Sequence, residues 1–426
     1  MPVPQLKYGA DCLPCPLPET TLLRAQAPAQ LPAPESAIRA ALAAPLGIPP
    51  LGELVTPGER VVIVTSDITR YTASELYLPI LAGELNRCGI ADADLTLLIG
   101  LGIHRRQTDA EHRRIAGALY GRVRIEDHDC DDPAMLVDLG HTAGGLPVQI
   151  NRRVLEADRV IVTGTIGLHY FAGFGGGRKG LVPGVASRAT CMATHFAIFN
   201  PPEIGDRHPA ARPAVLEGNP VHEAILAAAR MVAPDFLLNT VLTADKQLAG
   251  VFCGDLEAAH LAGCALAREL AVVPLARPAD LAVVSCGGHP KDINFIQAHK
   301  ALDYGVQAVR PGGTVILLAA CPDGFGNPTF YDWFRHQDLQ SFEAALRQGY
   351  EINGQTAYAT LCKARSWRII LISGFSAEQT ARMGMEKAGN LDEALRMAYE
   401  RLPADASVVV IPDGSSVLPV IKTLDP

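Results

Sequence analysis

The sequence predicts an α/β protein built as two α/β domains with largely parallel sheets, and three observations carry that expectation. Short apolar runs alternate with Ala- and Leu-rich stretches of helical spacing, the habit of strands and helices packed in layers. A chain of 426 residues with 48% hydrophobic content can bury substantial cores and suits two domains better than one. Several apolar runs also end in polar residues, and ligands of open α/β sheets collect at the carboxyl ends of strands.

RVVIVTSD (60–67) reads as a buried strand running into a loop. ASELYLPILAGELNRCG (73–89) has helical apolar spacing and stops at a glycine. LTLLIGLGIH (95–104) is the next strand, and Thr108 and Glu111 after it fit a capping box for a short helix. RVIVTGTIGLH (159–169) is a third strand. An Ala-rich helix over 257–270 leads to Pro274 and Pro278, which mark a domain boundary. The expected domains are therefore 1–272 and 273–426, with a cleft between them. The second repeats the same grammar, with strands at 281–285, 313–321, 368–374 and 407–414. No internal repeat, low-complexity tract or heptad array is visible.

A net charge of −8 argues against duplex nucleic acid or an anionic membrane as the main partner. The N-terminus lacks a secretion signal and no apolar run reaches membrane-spanning length, so a cytoplasmic protein is expected. Ten scattered cysteines suit reduced, mostly buried thiols. Cys12 and Cys15 form a single CxxC pair, which lacks the second half of a zinc site.

The densest signal runs from Gly164 to His195. Gly173, Gly175, Gly176 and Gly177 surround Phe174, a density that costs backbone entropy and implies a sharp bend or close approach to a ligand. Arg178 and Lys179 follow, so bare amides and two cations converge as an anionic or phosphorylated ligand requires; the alternative is a surface turn with solvated charges. Neither a Walker loop nor a dinucleotide fingerprint fits, because Gly180 stands where a hydroxyl is needed and the G-x-G-x-x-G spacing is absent. SDITRYTAS (66–74) offers Asp67, Thr69 and Arg70 off a strand, with Arg70 able to grip a carboxylate or simply to sit at the surface. His104 ends its strand as a ligand, an acid/base or a satisfied polar residue. Gln297 and Lys300 share one face of a helix, which could equally be a solvated face. The scattered His128, His141, His208, His222 and His299 suit surface or supporting positions. Asp127, Asp129, Asp131 and Asp132 read as a solvated turn.

Four segments in this order, DITR, GIHR, GLHYFAGFGGGRKGLVPG followed by His195, and PKDINFIQAHKALD, resemble the nickel-dependent lactate racemase family over most of the chain. The resemblance implies a racemase or epimerase of 2-hydroxy acids. Its cofactor would be a nickel pincer nucleotide, Ni(II)-pyridinium-3,5-bisthiocarboxylic acid mononucleotide, covalently tethered to Lys179. On the matching positions, His195 would ligate the metal, and Asp67, Ile68, Thr69 and Arg70 would cradle the cofactor. His104 and His169 would be the acid/base pair, while Arg70, Gln297 and Lys300 would hold the substrate. The implied partners are a small 2-hydroxy acid and cofactor-making enzymes.

Two departures bear on the substrate. Lactate-specific members carry a tyrosine before the glutamine, where this chain has Ile296, and a tryptophan where EINGQTAY (351–358) stands. Losing two aromatics should enlarge the pocket, so a substrate larger or more polar than lactate is expected. The competing readings are a non-catalytic protein that binds the nickel nucleotide or a hydroxy acid, a nicotinamide redox enzyme, and a zinc hydrolase. The last two lack their motifs.

Overall fold

The run at 60–67 forms strand β1 (Val61–Ser66) at the middle of a six-stranded sheet. The computed structural model describes residues 4–18, 21–26, 28, 31, 33–403 and 405–422. The sheet continues with β2 (Leu95–Gly100), β3 (Arg124–Asp127), β4 (Arg159–Ile166), β5 (Phe236–Leu242) and β6 (Leu248–Gly254), in the spatial order β6-β5-β4-β1-β2-β3. All neighbours are parallel except β5 and β6. From β1 the chain therefore winds first to one side, through β2 and β3, and then returns to the other through β4.

Helix Ser74–Arg87 covers this sheet and buries Tyr77, Leu78, Leu81 and Leu85, and each such side chain contributes about 1.5–3 kcal/mol of burial. The Tyr77 hydroxyl stays satisfied by donating to Thr163 Oγ1 at 3.2 Å and lying 3.0 Å from Thr72 Oγ1. The Thr108/Glu111 capping box forms as expected and starts helix Asp109–Ala116.

The sheet belongs to a unit spanning Ala27–Leu270; the second unit combines residues up to Gln26 with those from Ala271 onward. The N-terminal segment thus departs from the expected 1–272 domain. Its hairpin, Gln5–Tyr8 paired with Asp11–Pro14, sends Leu6 and Cys15 into the core of the second unit, and Leu22 bridges to Val410 there. That unit holds a parallel five-stranded sheet of β7 (Ala279–Ser285), β8 (Val309–Leu318), β9 (Arg368–Ile372), β10 (Glu386–Ala388) and β11 (Val408–Ile411), ordered β10-β9-β8-β7-β11. Among the described residues, no helix is long and apolar enough to cross a membrane.

Candidate active site

The winding reverses between β1 and β4, and open α/β sheets bind ligands at such a point, outside the carboxyl ends of the strands. Asp67 follows β1 directly, His104 lies four residues beyond the end of β2, and the glycine-rich turn follows β4. Helix Arg188–Phe196, capped by the Ser187 hydroxyl on the Thr190 amide, brings His195 to the same unit.

The first cluster is polar. Asp67 is 3% exposed, and its Oδ2 lies 2.5 Å from His104 Nδ1. Its Oδ1 accepts from the Thr69 amide at 3.0 Å and the Thr69 hydroxyl at 2.6 Å. Burial pushes the Asp67 carboxyl up, but the His104 and Thr69 hydrogen bonds and nearby positive charge outweigh it and hold the group below its ordinary value. An ionised carboxylate can only accept, so His104 carries its proton on Nδ1 and turns Nε2 out as a proton acceptor. The His104 side chain keeps 44% of its surface open.

The second cluster forms around the Phe171 ring. His169 meets it edge-on at 4.5 Å between centroids, His195 at 5.3 Å, and Lys179 Nζ lies 5.9 Å from its centre. The glycines permit this. Gly176 and Gly177 sit at φ 67° and 54°, and a Cβ would stand 2.5 Å from Asn239 Oδ1 at the first and 2.6 Å from the His260 ring at the second. The Gly177 amide donates to Asn239 Oδ1 at 2.6 Å, which pins the turn to β5.

Hydrogen bonds also fix the imidazoles of the second cluster. His195 Nδ1 donates to the Cys191 carbonyl at 2.8 Å, so the Nε2 lone pair is available to a metal. His169 Nδ1 accepts from the Ala172 amide at 3.2 Å, which puts the His169 proton on Nε2. His104 and His169 therefore hold opposite tautomers.

Lys179 and His195 are set deep but keep a partly open face. Burial and the neighbouring Arg178 charge pull the Lys179 amine down to about 7. Burial and the Lys179 charge take His195 down to about 4. Arg70 also acts on Lys179, and His104 on His195, so the two clusters share one electrostatic environment.

Arg178 takes a different part from the one its sequence position suggests. It is 1% exposed and knits the turn from inside, donating to the Ala172 carbonyl at 2.9 Å and the Phe174 carbonyl at 3.2 Å, with Nη1 2.9 Å from His260 Nε2. It is neither a solvated charge nor an open anion clamp, because the turn needs a donor for its own inward-facing carbonyls. Burial brings its guanidinium down to about 10.

Other expected residues divide. Thr69 and Arg70 are exposed, Ile68 is half-buried, and the Arg70 guanidinium donates to the Thr69 carbonyl at 3.5 Å. Gln297 and Lys300 belong to the second unit, on helix Phe295–Gly305, where Lys300 Nζ donates to Gln297 Oε1 at 2.7 Å. All ten cysteines are free; Cys12 is exposed and Cys15 buried. His128 and His299 are core residues rather than surface ones. His128 is tied to the Ala186 carbonyl and the Asn151 amide. The acidic run is paired: Asp129 binds Arg106, Asp131 binds Arg188, and Asp127 holds His112 and the Gln107 amide. Sequence reading missed the Asp67–His104 pair, the Phe171 hub and Gln107. Alternation placed each on its loop, but partners 37 residues apart leave no periodic trace.

Residues 8–205 match the lactate racemase N-terminal domain and residues 275–419 the lactate racemase C-terminal domain. The chain is 34% identical over 397 residues to a lactate racemase of Thermoanaerobacterium thermosaccharolyticum, covering 90% of each chain. It is 35% identical over 383 residues to one of Lactiplantibacillus plantarum, covering 88% of each. The solved apoprotein of the Thermoanaerobacterium thermosaccharolyticum lactate racemase superposes with a TM-score of 0.88 at 32% identity, covering 98% of this chain and 99% of that one. A Thermotoga maritima protein shares the fold alone, with a TM-score of 0.66 at 20% identity over 93% of this chain and 100% of its own. These relatives make the protein an isomerase of the racemase kind, and the chain belongs to the lactate racemase family.

Proposed function

We propose that this protein racemizes or epimerizes a 2-hydroxy acid at C2, using the nickel pincer nucleotide tethered to Lys179. The observation that carries the reading is the gathering of His169, Lys179 and His195 around Phe171, in the same unit as the Asp67–His104 pair. Among the described residues no group of three or more His, Cys, Asp or Glu side chains could hold a metal unaided. His195 offers one imidazole, a suitable nickel ligand, so the other donors must come from a bound group that is itself a chelator. Lys179, brought down to about 7, presents a substantial fraction of neutral amine near neutrality for a covalent tether. The donor set therefore fits the nucleotide.

When bound, that group supplies the hydride acceptor and donor for C2. The chain supplies the rest. His104, its Nδ1–H held by Asp67, takes the substrate hydroxyl proton at Nε2. His169 acts as the acid in its doubly protonated form: as the imidazolium it gives its Nε2 proton to the oxygen from its side and is left as the neutral imidazole. A planar 2-keto acid between these two events can present either face, which is what inversion requires. The reverse direction starts from the state so produced, with His169 as base and His104 as acid, and exchange of one proton with solvent at each histidine resets the pair. Arg70, Gln297 and Lys300 hold the carboxylate and the developing negative charge on oxygen. Ile68 and Thr69 complete the cofactor cradle with Asp67.

The substrate is larger or more polar than lactate, such as a hydroxy diacid or sugar acid. Ile296 precedes Gln297, and in the 351–358 segment Gln355, Thr356 and Tyr358 are each 2% exposed and spent on packing within their own unit. A cytoplasmic setting and dependence on cofactor-making enzymes belong to the same proposal.

Intact mass and bound nickel, measured on protein produced alongside cofactor-making enzymes, test the reading. A nickel-containing adduct is expected and should vanish in Lys179→Ala; an unmodified, nickel-free wild type, with a relative loading normally as control, would refute it. Chiral assay of the loaded enzyme should show larger hydroxy acids turning over faster than lactate. The reverse order would remove the substrate assignment alone.

A further inference from the structure

The loop that carries His104 is exposed at Arg105 and Arg106 and has no regular structure between β2 and Thr108, yet His104 must keep one orientation toward Asp67. A single hydrogen bond fixes a distance and leaves rotation about it. The fold adds a second tie. Gln107 Oε1 accepts from the amide of Ile68, the residue next to Asp67, at 3.0 Å. Its own amide donates to Asp127 Oδ2 at 2.8 Å, and its Nε2 donates to the Arg105 carbonyl at 3.2 Å. Asp127 is the last residue of β3, and its Oδ1 lies 2.8 Å from His112 Nε2 on helix Asp109–Ala116, which precedes that strand. One residue, through its side chain and its main-chain amide, thus joins the carboxyl ends of three adjacent strands.

We infer that Gln107, anchored by Asp127, is a positioning residue that holds His104 and Asp67 in register. Its effect on turnover rests on the racemase reading above, whereas its effect on the Asp67–His104 hydrogen bond does not. The two ties run side by side, Asp67 to His104 and Ile68 to Gln107, and together they set the plane of the imidazole as well as its distance. A methionine at 107 keeps the length and removes the acceptor, leaving the Ile68 amide without its partner. Misplacing an acid/base group by about 1 Å costs on the order of 100-fold in rate.

The test compares Gln107→Met, Gln107→Glu and Asp127→Asn with wild type. Gln107→Glu keeps an acceptor for Ile68; Asp127→Asn leaves one good acceptor where Gln107 and His112 need two. Gln107→Met should lower kcat about 10- to 100-fold with KM changed less than about threefold, at unchanged nickel content and with little change in melting temperature. Gln107→Glu should recover most of that loss, and Asp127→Asn should move the same readouts by less. In the apoprotein, nitrogen-15 NMR should show a sharp His104 Nδ1–H in wild type and its loss or exchange broadening in Gln107→Met. A variant that keeps both the resonance and kcat overturns the inference, as does one whose losses follow melting temperature or nickel content while the resonance persists. If Gln107→Met does not fold, Asp127→Asn decides by the same criteria. If the wild type turns over no hydroxy acid the racemase reading fails, and the apoprotein resonance still decides whether Gln107 positions His104.

Discussion

The Asp67–His104 side and the Phe171 side of the site fix their imidazoles by opposite means. On the first, a buried carboxylate steadied by the amide and hydroxyl of Thr69, with Gln107 bracing the neighbouring Ile68 amide, holds a histidine that is otherwise open to solvent. On the second, orientation comes from main-chain partners within the turn and the helix, and the electrostatics come from enclosure: Lys179 and His195 are both drawn toward their neutral forms. A carboxylate fixes which nitrogen of its partner bears the proton, whereas burial disfavours charge. The difference teaches that two identical side chains can enter one reaction already prepared for opposite tasks.

The largest effect should come from removing either imidazole. His104→Ala and His169→Ala are each expected to lower turnover about 10²- to 10⁴-fold while the nickel adduct is retained, measured by chiral assay and intact mass. Equal loss of adduct and turnover in both variants would mean that the two sides do not divide cofactor handling from proton handling.

A smaller effect separates the sides by acid. Burial takes His222 down to about 4 and His260 to about 3, against roughly 6.5 in the unfolded chain. Between those values the unfolded state binds more protons, so this contribution to stability is full above about pH 6.5 and falls as pH drops toward 4. Each histidine contributes up to about 1 kcal/mol per pH unit in that window. His222→Leu should therefore flatten the decline, read as urea midpoints at pH 7, 6 and 5; an unchanged slope would place the acid sensitivity elsewhere.

The smallest effect concerns Lys179 in the apoprotein. Burial holds it at about 7, below its ordinary value of 10.5, so the unfolded state binds the extra proton and the folded state gains in relative stability as pH rises from 7 toward 10.5. Lys179→Met should raise the apoprotein melting temperature by a few degrees at pH 7, with the gain shrinking by pH 10. A lower melting temperature at both pH values would mean that the ammonium is better accommodated than its surroundings indicate.

Periodicity and turn chemistry carried much of this architecture. The runs at 60–67, 95–104 and 159–169 became β1, β2 and β4, slightly shorter because each ends where the chain turns toward the site. The capping box was legible because its partners lie three residues apart. Reassignment of the N-terminal hairpin was not legible, since Leu6 and Cys15 look the same whichever core receives them. Family motifs named the histidines and the lysine, but not their tautomers or surroundings. Arg178 shows the limit most clearly: adjacent to Lys179 in sequence, it turns inward to carbonyls while Lys179 keeps an open face.

That inward arginine also bears on the lifetime of the unloaded protein. Its Nε has no partner among the described residues, and nor does the buried Nδ1 of His222, whose ring feels the Arg178 charge. The turn behind Lys179 thus encloses a guanidinium whose partners are carbonyls and an imidazole, an arrangement that lasts only while the surrounding fold stays closed. A ligand that binds only the folded state raises stability, so the empty chain is expected to open and be degraded sooner than the loaded one, leaving the cell enriched in molecules ready to work.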